Sequence, residues 1–177
     1  MFYFTDHLYI MYLLSAKIIS GGVYPLLPLP KKYFLTAASA EGETELTAFD
    51  GALLNARVGN TNLLKVSSIL PPGCEYEPGL VIPPGSLLPI AYGTIISTVP
   101  GEVISAAVAV GIKRNSFGVI MEYEGLCGAD QAEAQVRKMV QEAFQIRNLE
   151  LEDIKVAATE HTVKRIGCAF AAVPLWY

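Results

Sequence analysis

The sequence is short of charge, of histidine and of cysteine, and each shortage excludes something. Charged residues make up 17% of 177, and the 13 Lys and Arg are scattered along a chain of net charge −4. No basic cluster exists to neutralise a phosphate backbone, so nucleic acid is excluded as a partner. A cationic small molecule suits the acidic balance better. Histidine occurs only at His7 and His161, and Cys74, Cys127 and Cys168 form no C-x-x-C pair. A zinc site therefore lacks ligands, and an odd number of thiols fits a reducing cytoplasm rather than a secreted disulfide framework. Long apolar runs are missing too. The opening "MFYFTDHLYIMYLLSAKIIS" is interrupted well short of the roughly 18 to 20 residues of a spanning helix. It also lacks the basic stretch and small-residue cleavage site of a signal peptide. It reads as a peripheral extension or an upstream start codon, with an interfacial anchor as the alternative, and no membrane partner is expected.

What is plentiful is apolar surface. A hydrophobic fraction of 52% in a chain of this length predicts one domain with its own core and enough remaining apolar surface to call for neighbouring subunits. The connector "GGVYPLLPLPKK" separates residues 1–30, an N-terminal extension, from a single domain over 31–177. Within that domain "YFLTAASAEGETELTAFDGALLNARVGN" reads as a short strand, a polar loop at "SAEGET" and a helix. Leu46, Phe49, Leu53 and Ala56 share one face of that helix, and Gly59 stops it. Asp50 sits at the edge of the apolar stripe. After a proline-rich loop, "LLPIAYGTIISTV", "VISAAVAVGI" and "FGVIMEYEG" read as strands of a substantial sheet. The clearest helix is "DQAEAQVRKMVQEAF", with Asp130 and Glu133 at capping-box spacing and Ala132, Val136, Val140 and Phe144 on one side. "IKVAATEHTV" and "GCAFAAVPLWY" supply two more strands. The pattern is an α/β layered domain.

The segment "NLLKVSSILPPGCE" places Ser67 and Ser68 together in an apolar run that reads as a strand. No G-x-S-x-G elbow surrounds them, so a hydrolase triad is poorly supported. Adjacent serines have an intramolecular use: Ser68 Oγ can attack the Ser67 carbonyl, exchanging the peptide for an ester. β-Elimination then leaves dehydroalanine at position 68, which hydrolyses to a pyruvoyl group. Effective molarities of about 10⁵ M or more make such an attack feasible once geometry is fixed. The spacing by itself favours two inert serines in a strand. Asn62 reads either as a turn cap or as an uncharged oxyanion donor. Glu122, on one strand face with Ile120 and Glu124, reads as a solvated edge or as an acid whose proton affinity burial raises. Asp50 reads as an exposed helix aspartate.

The runs "GETELTAFDGALLNARVGNTNLLKVSSILPPGCE", "PIAYGTIISTVPGEVISAAVAVGI", "GVIMEYEG" and "EHTVKRIGCAFAAVPLWY" closely resemble the pyruvoyl-dependent arginine decarboxylases, from about Pro30 to Tyr177. The resemblance implies self-cleavage between Ser67 and Ser68, giving a β chain of residues 1–67 and an α chain of residues 68–177 that begins with the Ser68-derived pyruvoyl cofactor. It further implies that Glu122 is the catalytic acid and that Asn62 helps position and polarise the scissile region. Asp50 becomes the acceptor for the substrate guanidinium, with Leu53 packing along the methylenes and Ser67 at the substrate-binding edge. The implied fold is a four-layer αββα sandwich, assembled as a trimer of αβ units or a pair of trimers with sites between protomers. The implied reaction is L-arginine to agmatine and CO₂ in the cytoplasm, without pyridoxal phosphate or metal. Two alternatives remain: the same cofactor acting on another amino acid, and an unprocessed binding protein on this fold. His161, Cys127 and Cys168 read as residues of fold or assembly. Arg57 departs from the small residue expected in "NARVGN", and its side chain could point to solvent or reach toward Asp50.

Overall fold

The structure, a computed structural model, describes residues 28–177; the extension assigned to residues 1–30 lies almost wholly outside them. The fold is mixed α+β. In chain order it comprises β1 (Lys32–Tyr33), β2 (Thr36–Glu41), α1 (Glu45–Asn55), β3 (Asn62–Lys65), β4 (Ile69–Leu70), β5 (Glu75–Tyr76), β6 (Leu87–Ser97), β7 (Val103–Ile112), β8 (Gly118–Gly125), α2 (Ala129–Ile146), β9 (Asp153–Thr162) and β10 (Gly167–Trp176). One sheet runs β3-β6-β10-β1-β5, with β2 also paired to β10, and the other runs β4-β8-β7-β9. No helix among the described residues is long and apolar enough to cross a membrane.

Strand alternation sends each sheet's side chains to two different cores. On β10, Ala169, Ala171, Val173 and Leu175 join Ile104, Ala106, Val108 and Val110 of β7 and Ile120 of β8. The intervening Cys168, Phe170 and Ala172 pack instead with Ala48, Ala52 and Leu53 of α1. Ala107 and Ala109 of β7 face Ala132, Val136, Val140 and Phe144 of α2. Both faces of β7 and β10 are thus covered, which explains their near-continuous apolar sequences.

The two helices depart from expectation in instructive ways. In α2 the four apolar residues are buried as expected, but the N-cap is Gly128 with Gln131 at the third position, not the Asp130 and Glu133 pair. In α1 the buried residues are Ala48, Ala52 and Leu53, while Leu46, assigned to the buried face, is 74% exposed. Leu46 lies in the first turn of the helix, ahead of the small Ala48 and Ala52 that face the core. The cap there is Thr44, whose hydroxyl accepts from the Thr47 N–H, and β2 extends to Glu41, so the polar loop is shorter than "SAEGET". Helix α1 ends at Asn55 rather than at Gly59. Val58 N–H reaches Leu53 O at 3.0 Å and Arg57 N–H reaches Leu54 O at 3.0 Å, with Arg57 in the left-handed region at φ 65°. This is a Schellman-type stop with arginine where glycine is favoured.

The serines are not in a strand. β3 pairs in parallel with β6 and β4 pairs with β8, so residues 66–68 carry the chain from one sheet to the other. Each side of this crossing is fixed to its own sheet: Val66 N–H donates to Ile90 O at 3.1 Å, and Ile120 N–H donates to Ser68 O at 2.8 Å.

Candidate active site

The sheet crossing opens onto a cavity of about 490 Å³ lined by Lys65, Val66, Ser67, Ser68, Tyr92, Glu122 and Glu124. Ser68 adopts a left-handed φ of 41°, a conformation that costs a residue with a Cβ roughly 1–2 kcal/mol. Its Oγ donates to Glu122 Oε1 at 2.7 Å. The Ser67–Ser68 peptide therefore sits at the cavity wall, and the hydroxyl that would attack it is already held by a carboxylate.

Glu122 reaches this position from the middle of β8, on the face of Ile120 and Glu124. Gly93 of β6 lies opposite. A Cβ there would meet Glu124 Oε2 at 2.7 Å and Glu122 Cβ at 3.4 Å, so the absence of a side chain lets both acids lie against β6. Burial raises the proton affinity of Glu122, opposed by the Ser68 hydroxyl and by the nearby Lys65 charge. Glu124, two residues on, is exposed.

Two cavity residues carry no mark of chemistry in the sequence. Lys65 is paired in register with Ile90, and its ammonium rests 4.3 Å from the centroid of the Tyr92 ring. Tyr92 is supported from behind by Phe170 at 5.4 Å and Phe49 of α1 at 6.5 Å. The only local signal was a cation set into the apolar run "NLLKVSS".

The remaining assigned residues lie apart from the cavity of their own chain. Asn62, at the start of β3, donates from Nδ2 to Gly85 O at 2.8 Å. Asp50 is exposed on α1, and Leu53 is buried against the β6–β10 face. Arg57 does not turn toward the cavity: its guanidinium stacks 5.0 Å over Phe34 and donates to Pro78 O at 3.0 Å.

The residues read as structural have structural partners. His161 Nε2 lies 2.6 Å from Glu41 Oε1, and the same carboxylate accepts from the backbone N–H groups of Lys164, Arg165 and Ile166. These bonds, the Lys164 N–H first and His161 next, pull the Glu41 carboxyl down to about 2 and staple the β9–β10 turn to β2. Cys168 is buried beside Thr94, where burial raises its thiol, and Cys127 lies 3.2 Å from Ser105 Oγ.

Residues 32–177 match the family described as pyruvoyl-dependent arginine decarboxylase. The protein of that name from Methanocaldococcus jannaschii is 54% identical over 151 residues, spanning 84% of this chain and 92% of its own. The one from Thermococcus kodakarensis is 49% identical over 150 residues, 84% and 96% of the two chains. The one from Methanococcus maripaludis strain C5 is 44% identical over 160 residues, 89% and 98%.

Proposed function

The chain belongs to the pyruvoyl-dependent arginine decarboxylase family, and from that premise we propose that it cuts itself between Ser67 and Ser68 and converts L-arginine to agmatine and CO₂. The observation that carries this reading is the placement of Ser68: strained, at a sheet crossing, at a cavity wall, with its hydroxyl on Glu122. Ser68 Oγ attacks the Ser67 carbonyl carbon, the peptide nitrogen leaves, and elimination from the resulting ester frees the Ser67 carboxylate. Cleavage there leaves both sheets paired, because β3 is held by β6 and β4 by β8.

Position 68 suits the pyruvoyl group. Its backbone carbonyl stays anchored by Ile120 N–H, and the group replaces a side chain already facing the cavity. Its ketone supplies the sink for the electrons released when the carboxylate carbon departs. Glu122 supplies the proton to the carbon left behind, a role for which burial prepares it by favouring the protonated form. Asn62 serves processing as an amide donor, a role that, with its amide on Gly85 O and outside its own chain's cavity, calls like that of Asp50 for a site completed between protomers. Asp50 takes the guanidinium in paired hydrogen bonds, with Ser67 and the small part of Leu53 that the core leaves uncovered on the substrate path.

The architecture belongs to the same proposal: a single domain over 31–177, built as a four-layer αββα sandwich in the cytoplasm. Its support is that one core draws on both sheets, while α1 and α2 each cover a different one. The protein assembles as a homotrimer or a pair of trimers. Asp50 lies outside its own chain's cavity, so a site completed between protomers brings it to the substrate. Exposed Leu46, Val81, Val99 and Leu126 provide apolar surface for such contacts.

The test is turnover of carboxyl-labelled L-arginine by protein shown by mass to be cleaved. Agmatine and CO₂ appear in equal amounts if the reading holds. No release, or equal use of lysine, contradicts the assignment of substrate.

A further inference from the structure

The substrate that this reading assigns brings its own carboxylate into a cavity already holding Glu122 and Glu124, and something must accept it. Lys65 is the one cation among the cavity's lining residues. Among the described residues no carboxylate lies within ion-pair distance of its ammonium. The ammonium rests on the Tyr92 ring instead, at 4.3 Å from its centroid. A cation–π contact at an exposed site is weak, so an arriving anion can readily draw the ammonium from the ring.

Position favours the same assignment. Lys65 ends β3, three residues before Ser68, and its pairing with Ile90 directs its side chain to the face that also carries Tyr92. The α-amine and the carboxylate of an amino acid hang from one carbon. The group that engages the amine and the group that engages the carboxylate must therefore lie on neighbouring parts of one wall, as positions 68 and 65 do. We infer that Lys65 binds the substrate's α-carboxylate and so orients the bond that breaks. This rests on the decarboxylase reading above.

One competitor for the same ammonium is the Ser67 carboxylate created by cleavage, and the experiment separates the two. Lys65→Met and Lys65→Arg are prepared with the unaltered protein, and cleavage of each is established by mass. KM for arginine and Ki for agmatine, which has no carboxylate, are then measured. Lys65→Met raises KM for arginine about 10-fold or more, the loss expected for a hydrogen bond between charged groups. Its Ki for agmatine stays within about 2-fold on the same grounds, and Lys65→Arg, which keeps the charge, recovers most of the loss. Parallel weakening of arginine and agmatine points to the Ser67 terminus or to a structural role and overturns the inference, as does an unchanged KM. Argininamide keeps the amine and the guanidinium without the carboxylate charge, and it tests the unaltered enzyme even if Lys65→Met fails to cleave. Its Ki should exceed the arginine KM by about 10-fold or more; equality overturns the assignment. If the unaltered, cleaved protein forms no agmatine, the decarboxylase reading itself has failed, an outcome distinct from all of these.

Discussion

The cavity wall formed by Ser68, Glu122 and Lys65 and the helix that carries Asp50 and Leu53 are built differently. The first gathers the end of β3, the crossing residues before β4 and the middle of β8 at the point where the chain changes sheets, and Ser68 and Glu122 already touch within one chain. The second rides on a helix capped at both ends, with Leu53 committed to the core and Asp50 turned to solvent. On the proposed reading the contrast separates two tasks: cofactor formation and proton transfer draw on the wall where Ser68 and Glu122 meet, whereas a grip on the far end of the substrate by Asp50 calls for a surface the chain does not close by itself.

The largest expected effect comes from removing the attacking oxygen. Ser68→Ala should leave a folded, uncut chain without decarboxylase activity, as seen on a denaturing gel. Cleavage at this bond in Ser68→Ala would remove the serine from its role.

Next comes the proton. Glu122→Gln keeps shape and hydrogen bonding, so cleavage should persist at least in part while turnover falls by about 10²- to 10⁴-fold, the usual contribution of a positioned acid. Cleavage also removes the Ser68 hydroxyl, one of the groups that opposes the effect of burial on Glu122. An acid whose proton affinity is raised stays protonated to higher pH, so kcat should fall as pH rises through that raised value, and this limb should vanish in Glu122→Gln. Near-normal turnover by the variant would transfer the role, with Glu124 the first candidate.

On the recognition side the effect is smaller and confined to one end of the substrate. Asp50→Asn should lower kcat/KM for arginine by on the order of 2 to 4 kcal/mol, the loss of a charge-assisted pair, without slowing cleavage. Arginine turnover indifferent to this change would detach Asp50 from the site. The smallest effect belongs to Arg57, which stands near neither group. Arg57→Gly relieves a left-handed residue but loses the stack on Phe34 and the bond to Pro78. Stability measured by thermal melting should therefore shift by no more than about 1 kcal/mol, with kcat/KM for arginine unchanged. A large kinetic change would mean that Arg57 reaches the substrate after all.

The sequence was most legible where a local period matched a buried face. The spacing of Ala132, Val136, Val140 and Phe144 identified α2, and the apolar runs of β6, β7 and β10 identified the covered strands. Helix α1 was less legible because it buries small Ala48 and Ala52 and exposes Leu46, so side-chain size misled the assignment of its face. The sheet crossing was hidden altogether. Val66 and Ile69 flank the serines with strand-like residues, and only the pairing of Ile69 with Val119, fifty positions away, shows that the chain has moved to the other sheet. The contact between Ser68 and Glu122 is likewise long-range, and no local pattern announces it. Lys65 and Tyr92 escaped because a lysine and a tyrosine in a strand look ordinary until the fold lays one over the other.

The central claim is that this chain cuts itself at the sheet crossing, and the intact mass of the purified protein tests it most directly. Two chains are expected, roughly 7 and 12 kDa in proportion to residues 1–67 and 68–177. The larger should begin with a pyruvoyl group and resist Edman sequencing. A single species of 19.1 kDa that persists through prolonged incubation would contradict the account.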